Sequence, residues 1–178
     1  MKRAFIVLGI PSSGTRIMTR ILVKMGCIGD WDHKQRWDTI EPSEETPIVI
    51  RRHYPKERSP SWVRKGNSLI GELLLKGYLI YSIIIIRDWN ATILSQINAP
   101  HVKNYEEGEI YSQFVLQRIF QELPASVPFE VVSYESLVQR PHQVLKLMQK
   151  RIGLDPVSTE KLKEISSIIK DGNAKYYA

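Results

Sequence analysis

Runs of apolar residues alternate along the chain with segments in which apolar residues recur every three or four positions. The runs predict buried β-strands at about residues 4–9, 47–52, 78–86 and 129–133. The periodic segments predict helices at about residues 15–26, 62–76, 91–98, 109–123, 141–152 and 158–170. Strands that alternate with helices are typical of a parallel sheet covered on both faces. We therefore predict a three-layer α/β fold with a mostly parallel sheet.

Two segments stand out in this pattern. Residues 78–86 form a continuous, β-branched apolar run, which predicts a central strand buried on both faces. Residues 29–46 predict a long irregular excursion, and such loops are often functional. Its candidates for lining a substrate mouth are Trp31, Asp32, His33 and Trp37. A loop pinned in place by its two tryptophans explains these residues equally well.

Length and composition fit one domain spanning residues 1–178, without an internal repeat or a linker. The longest apolar run is far too short to span a membrane. Lys2 and Arg3 precede an apolar stretch, but that stretch is short and a basic helix follows it, so we do not predict export. The single cysteine, Cys27, forms no internal disulfide, and a reducing cytoplasm is the expected location.

The net charge of +6 is concentrated in residues 51–65, where six basic residues accompany Glu57 as the one acidic residue. Such a window either attracts an anionic partner, such as a nucleotide or a sulfated or phosphorylated glycan, or forms a solvated loop. Few aromatic residues lie among these charges, so nucleic acid is a poor candidate.

A small-residue loop joins the first predicted strand to the first predicted helix. Residues 9–16 read Gly-Ile-Pro-Ser-Ser-Gly-Thr-Arg, and a loop at this position directs backbone N–H groups and the positive helix end toward one anion. Gly9 and Gly14 have the outer spacing of a Walker A loop, but Thr15 and Arg16 stand where that loop has Lys and then Ser or Thr. The loop therefore lacks two groups that chemistry on ATP and Mg²⁺ needs: the lysine on the terminal phosphates and the hydroxyl on Mg²⁺.

A second anion site is predicted where the central strand ends. Arg87 follows that strand, and Ser95 lies eight positions later in the next predicted helix, so that both can reach one anion. Asp88 and Asn90 are candidates for capping this helix. Ligands of parallel α/β sheets bind at the carboxyl ends of the strands. Two anion sites there suit a nucleotide with phosphates at both ends of its ribose.

Four segments, in order, resemble motifs of the sulfotransferases that use 3′-phosphoadenosine 5′-phosphosulfate (PAPS). Residues 9–16 are similar to the 5′-phosphosulfate loop, and Arg87 with Ser95 is similar to the 3′-phosphate motif. Residues 50–55, Ile-Arg-Arg-His-Tyr-Pro, resemble a strand that ends in Lys-Thr-His-x-Pro. Residues 132–137, Val-Ser-Tyr-Glu-Ser-Leu, are similar to a Tyr-Glu-Asp-Leu segment. The resemblance covers about residues 4–154 and implies a P-loop-like sulfotransferase fold.

The resemblance implies sulfuryl transfer from PAPS, as a cosubstrate and without a metal, to a small-molecule or glycan acceptor. The residues expected to contact the cosubstrate are Ser12, Ser13, Gly14, Thr15, Arg16, Arg87 and Ser95. His53 occupies the place of the catalytic base, and His33, which follows Asp32, is the rival base. Lys170 and Lys175 are rival C-terminal contacts, since residues 170–172 faintly resemble an Arg-Lys-Gly loop of the family.

The chain departs from the family pattern at Ser12, where many members carry Lys or Arg. Arg16 and Arg51 are alternative sources of the missing cation on the leaving phosphate. Two other functions stay open at this point: a kinase-like phosphotransferase, and a nucleotide-binding module without catalysis, which Ser12 favours. The acceptor and the oligomeric state do not follow from the sequence.

Overall fold

A parallel sheet forms the centre of the structure, a computed structural model that describes residues 1–29, 43–52 and 69–177. Its strands are β1 (Arg3–Gly9), β2 (Ile28–Gly29), β3 (Ile48–Arg51), β4 (Leu79–Ile86) and β5 (Phe129–Ser133). They lie in the order β2-β3-β1-β4-β5, and each neighbouring pair is parallel. This sheet confirms the predicted α/β class.

Helices connect the strands. They are α1 (Thr15–Lys24), α2 (residues 69–75 of the described chain), α3 (Trp89–Asn98), α4 (Tyr105–Glu122), α5 (Tyr134–Gln139), α6 (Pro141–Ile152), α7 (Thr159–Ser167) and α8 (Ala174–Tyr177). Each predicted helix that falls in the described ranges is confirmed, and the first part of the predicted 62–76 helix lies outside them. Within these ranges, none of the helices has both the length and the hydropathy of a membrane-spanning segment.

Side-chain alternation along the strands builds an apolar layer on each face of the sheet. Phe5 and Val7 of β1 pack in the layer formed with α1, α5, α6 and α7. Ile6 and Leu8, on the opposite face, pack in the layer formed with α2 and α4. The side chains of β4 alternate between the two layers in the same way, and Ile83 lies in the first of them. The prediction that this strand is buried on both faces is confirmed, but the middle strand of the five is β1.

The strand register brings the two predicted anion sites together. Gly9, at the end of β1, pairs with Ile85 of β4, so Arg87 leaves the sheet beside the loop that follows β1. On the other side, Val7 pairs with Arg51 of β3. Because β1 lies between β3 and β4, its carboxyl end is a point where successive connections diverge, which opens a crevice for ligands.

Two leucines of α2 provide a test of this layered core. Leu73 is fully buried, whereas Leu75 is 91% exposed. We expect Leu73→Ala to lower the free energy of unfolding by about 2–5 kcal/mol, because it removes buried methyl groups and leaves a cavity. Leu75→Ala should change it by no more than about 0.5 kcal/mol. Urea unfolding measures both, and equal effects of the two substitutions would contradict the packing described.

Candidate functional site

The loop between β1 and α1 is compact and closely packed. A Cβ atom on Gly9 would lie 2.5 Å from Ser13 Oγ and 2.9 Å from the Ile85 carbonyl oxygen, so this position requires glycine. Inside the loop, the Ser13 N–H donates to the Ile10 carbonyl over 2.9 Å. Ser12 has a φ of 73°, a left-handed conformation that side chains other than glycine adopt at a cost. The loop therefore holds one defined shape.

The start of α1 is suited to an anion. Gly14 precedes the helix with a φ of 105°, and among the described residues no side chain caps the helix N-terminus. The first N–H groups of a helix have no intrahelical partner, and they lie at the positive end of its dipole. Thr15 is buried there and Arg16 is exposed. The Ser13 N–H is used within the loop itself, and anion binding by this loop stays a prediction.

Arg87 joins this loop to the C-terminal part of the chain. Its Nη1 donates to the Ser12 carbonyl over 2.7 Å, and its Nη2 donates to the Gly172 carbonyl over 2.8 Å. Its Nε donates to Asn173 Oδ1 over 2.5 Å. The guanidinium also lies over the Tyr134 ring, 4.9 Å from its centroid. Arg87 is therefore held in place by three acceptors and an aromatic face.

Residues 170–176, which we call the C-terminal strap, pack against α5. The Tyr134 hydroxyl donates to the Lys170 carbonyl over 2.7 Å and accepts from the Gly172 N–H over 2.9 Å. A Cβ atom on Gly172 would lie 2.8 Å from that hydroxyl, so glycine allows the close approach. Asn173 is buried, and its Nδ2 donates to Glu135 Oε1 over 2.8 Å. The strap is thus tied to the same helix at two points.

Glu135 connects the strap to the second anion site. Its Oε1 accepts from the Asp88 N–H over 2.9 Å as well as from Asn173, and its Oε2 accepts from Ser133 Oγ over 3.0 Å. Burial alone would raise the pKa of Glu135, but these hydrogen bonds lower it overall. The ionised carboxylate therefore fixes the turn at which Arg87 leaves the sheet.

The strap also reaches Ser95. The guanidinium of Arg87 lies 5.7 Å from the centroid of the Tyr176 ring. Burial alone would raise the pKa of the Tyr176 hydroxyl, but Ser95 and Lys175 beside it lower that pKa overall. Tyr176 therefore lies near both Arg87 and Ser95.

One of the two predicted caps of α3 is present in the structure. Asp88 caps the helix, because its side chain accepts from the Ala91 N–H over 2.8 Å. Asn90 lies inside the first turn instead, and its side chain accepts from the Tyr105 hydroxyl. Asp88 therefore supports the turn after Arg87, whereas the expectation that Asn90 also caps the helix is wrong.

The remaining candidates occupy different positions. Lys170 and Lys175 have exposed side chains; the Lys175 ammonium lies 4.7 Å from the centroid of the Tyr176 ring. Arg51 is half-buried at the end of β3. His53 and His33 lie outside the described residues.

Sequence reasoning missed several residues that shape the site. Tyr134 was part of a motif but had no assigned contact, and Asn173 and Tyr176 had no assignment at all. The run Asp171-Gly172-Asn173 is the signal that could have found the strap, because such residues favour a turn after a helix.

Comparison with known proteins supports the fold. No family model matches the sequence, and no sequence of a curated protein matches it. Among solved structures, the chain is similar to mouse sulfotransferase SULT7A1 complexed with PAP, with a TM-score of 0.60 and 15% identity over 99% of this chain. The fold is that of the sulfotransferases.

A second solved structure agrees. The sulfotransferase domain of the Synechococcus PCC 7002 olefin synthase matches with a TM-score of 0.57 and 16% identity over 98% of this chain. The chain spans 66% of the length of the mouse chain and 80% of the length of the Synechococcus domain. These two structures confirm the predicted P-loop-like sulfotransferase fold.

The hydrogen bonds to Glu135 predict a pH dependence of stability. Because folding lowers the pKa of Glu135 below its ordinary value of 4.5, its contribution is complete above that value and is lost as the pH falls through the folded-state pKa. We expect Glu135→Gln, which keeps a carbonyl acceptor, to lower the free energy of unfolding at pH 7. The difference from wild type should shrink progressively below pH 4.5.

Urea unfolding at several pH values measures this difference. Glu109→Gln, on the exposed surface of α4, is the matched control and should show no such dependence. A wild-type advantage over Glu135→Gln that stays constant from neutral to acid pH would contradict the role assigned to the carboxylate.

Proposed function

We propose that this protein transfers a sulfuryl group from PAPS to a hydroxyl or amine of a small-molecule or glycan acceptor. The acceptor oxygen or nitrogen attacks the sulfur, and the bond between sulfur and the 5′-phosphate oxygen breaks. The acceptor proton passes to a base, and 3′-phosphoadenosine 5′-phosphate (PAP) leaves with the electron pair of the broken bond.

One observation carries this proposal: the Arg87 guanidinium donates to the Ser12 carbonyl over 2.7 Å. This bond joins the loop before α1 to the end of β4, from which the chain continues to Ser95. The two proposed anion sites are therefore adjacent. A nucleotide with phosphates at the 3′ and 5′ positions of one ribose fits such a pair. The similar mouse sulfotransferase is complexed with PAP, which agrees with this assignment.

The 5′-phosphosulfate is assigned to the start of α1. Backbone N–H groups there, with the exposed guanidinium of Arg16, would stabilise the charge that develops on the leaving phosphate. The carbonyl of Ser12 is engaged by Arg87, and its short side chain supplies no cation. Of the two alternative cations, we favour Arg16 over Arg51, since Arg16 lies in the first turn of the helix.

The 3′-phosphate is assigned to Arg87 and Ser95. Arginine has five N–H donors. Within the described chain, three of these five donate to Ser12, Gly172 and Asn173, which leaves one N–H on each terminal nitrogen for a phosphate. The exposed side chains of Lys170 and Lys175 would add positive charge from the strap.

The acceptor proton is assigned to His53, because an imidazole titrates near neutral pH and can act as a general base. His53 follows Arg52, whose N–H donates to the Val7 carbonyl of β1 over 2.9 Å. His33 remains the alternative base. The basic window that contains His53 favours an anionic acceptor.

Phosphotransfer from ATP is a weaker alternative. Thr15 stands where a Walker A loop has its lysine, and it is 3% exposed at the start of α1. A threonine there supplies no charge to a terminal phosphate. Binding without catalysis is the other alternative, and only an acceptor assay separates it from sulfuryl transfer.

Nucleotide affinity tests the assignment of the two phosphates. We expect calorimetry to show tighter binding of PAP than of ADP, because ADP lacks the 3′-phosphate. Arg87→Lys should weaken PAP binding by roughly 10- to 100-fold, through lost charge-assisted hydrogen bonds. It should weaken ADP binding by a smaller factor, because Arg87 also holds the Ser12 carbonyl of the loop. Arg140→Lys, at an exposed arginine before α6, is the control. Equal affinities of the wild type for PAP and ADP would refute the proposal.

Substitution of the two histidines tests the base. We expect His53→Ala to abolish sulfuryl transfer while PAP affinity is preserved, because the imidazole is needed for the proton and not for the nucleotide. His33→Ala should retain most of the activity. Sulfated product from a panel of acceptors, detected by mass spectrometry, measures both. Full activity of His53→Ala together with loss in His33→Ala would assign the base to His33.

A further inference from the structure

Gln96 links the anion loop to two helices and has no role so far. It follows Ser95 in α3 and is fully buried. Its Nε2 donates to the Pro11 carbonyl over 3.0 Å and to Ser112 Oγ over 3.1 Å. Ser112, in α4, is also fully buried. A buried amide thus ties the loop after β1 to α3 and α4 at once.

Two successive carbonyls of the loop are held from the side of the second anion site. Gln96 holds the Pro11 carbonyl, and Arg87 holds the Ser12 carbonyl. In a planar trans peptide the C=O and the following N–H point in opposite directions. The bond from Gln96 therefore also fixes the Ser12 N–H, which points away from Gln96. The Ser13 N–H is already used by the Ile10 carbonyl.

The loop needs such support because its conformation is unfavourable by itself. Ser12 has a φ of 73°, which is rare for a residue with a side chain. Gln96 itself is costly to bury, since in the described part of the chain its Oε1 has no hydrogen-bond partner. An apolar side chain would fill the same space without that cost. What the amide supplies, and an apolar side chain would not, is the Nε2 donor to the loop.

We propose that Gln96 is a positioning residue for the 5′-phosphosulfate. It holds the Pro11–Ser12 peptide so that the Ser12 N–H is presented to the anion, and it couples that loop to Ser95 at the 3′-phosphate. This inference rests on the proposed function, because it assigns the anion at this loop to the 5′ end of the nucleotide. Gln96 acts through the loop and does not itself contact the nucleotide.

Two ligands separate positioning from general support of the fold. PAP carries both phosphates, whereas adenosine 3′-phosphate lacks the one assigned to the loop. We expect Gln96→Met, which keeps the size but removes the donor, to weaken PAP binding about tenfold. This is the effect expected when one hydrogen bond to an anion is lost. The affinity for adenosine 3′-phosphate should change by less than about twofold. Arg87→Lys should weaken both ligands.

Two further variants make the test specific. Gln96→Leu also removes the donor and shortens the side chain, so it should weaken PAP binding at least as much as Gln96→Met. Ser112→Ala removes the other partner of Gln96 and leaves the Pro11 contact, so it should bind PAP like the wild type. Circular dichroism and thermal unfolding establish that each variant is folded. If Gln96→Met does not fold, Gln96→Leu carries the same comparison.

The outcomes distinguish this inference from the proposed function. Equal weakening of both ligands by the Gln96 variants, or no weakening of PAP, would overturn the positioning role while the function stands. A wild type that binds PAP no better than ADP refutes the function. In that case the same variants are titrated with inorganic phosphate, and affinities that match the wild type would overturn the role of Gln96 in anion binding at the loop.

Discussion

The hydrogen bond from Arg87 to the Ser12 carbonyl is the interaction on which the site depends. It requires that β1 and β4 be neighbours, that their register place Gly9 opposite Ile85, and that the loop turn its carbonyl toward β4. With these conditions met, the positive end of α1 and a strand-end guanidinium border the same crevice. Neither feature alone selects a nucleotide. In the proposed function, their fixed relation is what matches a ribose with two phosphates.

Much of the support for Arg87 comes from distant parts of the sequence. The C-terminal strap supplies two of its three acceptors, and Glu135 holds both the strap and the Asp88 N–H. The acceptors that the described residues provide for the guanidinium are two backbone carbonyls and one amide oxygen, all of them neutral. The same arrangement makes the strap part of the surroundings of Arg87.

The sequence predicts the sheet well and the surroundings of the site poorly. Apolar runs such as residues 78–86 mark strands because both faces of the sheet are buried, and this burial leaves a clear pattern. The strand β2 and the helices α5 and α8 are too short for such a pattern to develop. The start of α4 was placed too late, because the Asn104 cap fixes it instead of an apolar residue. Gln96 and Asn173 act through polar contacts to residues far away in the sequence, which no local pattern encodes.

A crystal structure of the protein with PAP tests the central claim most directly. The account predicts the 5′-phosphate at the N–H groups that begin α1, and the 3′-phosphate on Arg87 and Ser95. It also predicts that the Arg87 bond to the Ser12 carbonyl persists in the complex. A nucleotide bound away from these two positions, or bound with the 3′-phosphate at the loop, would contradict it.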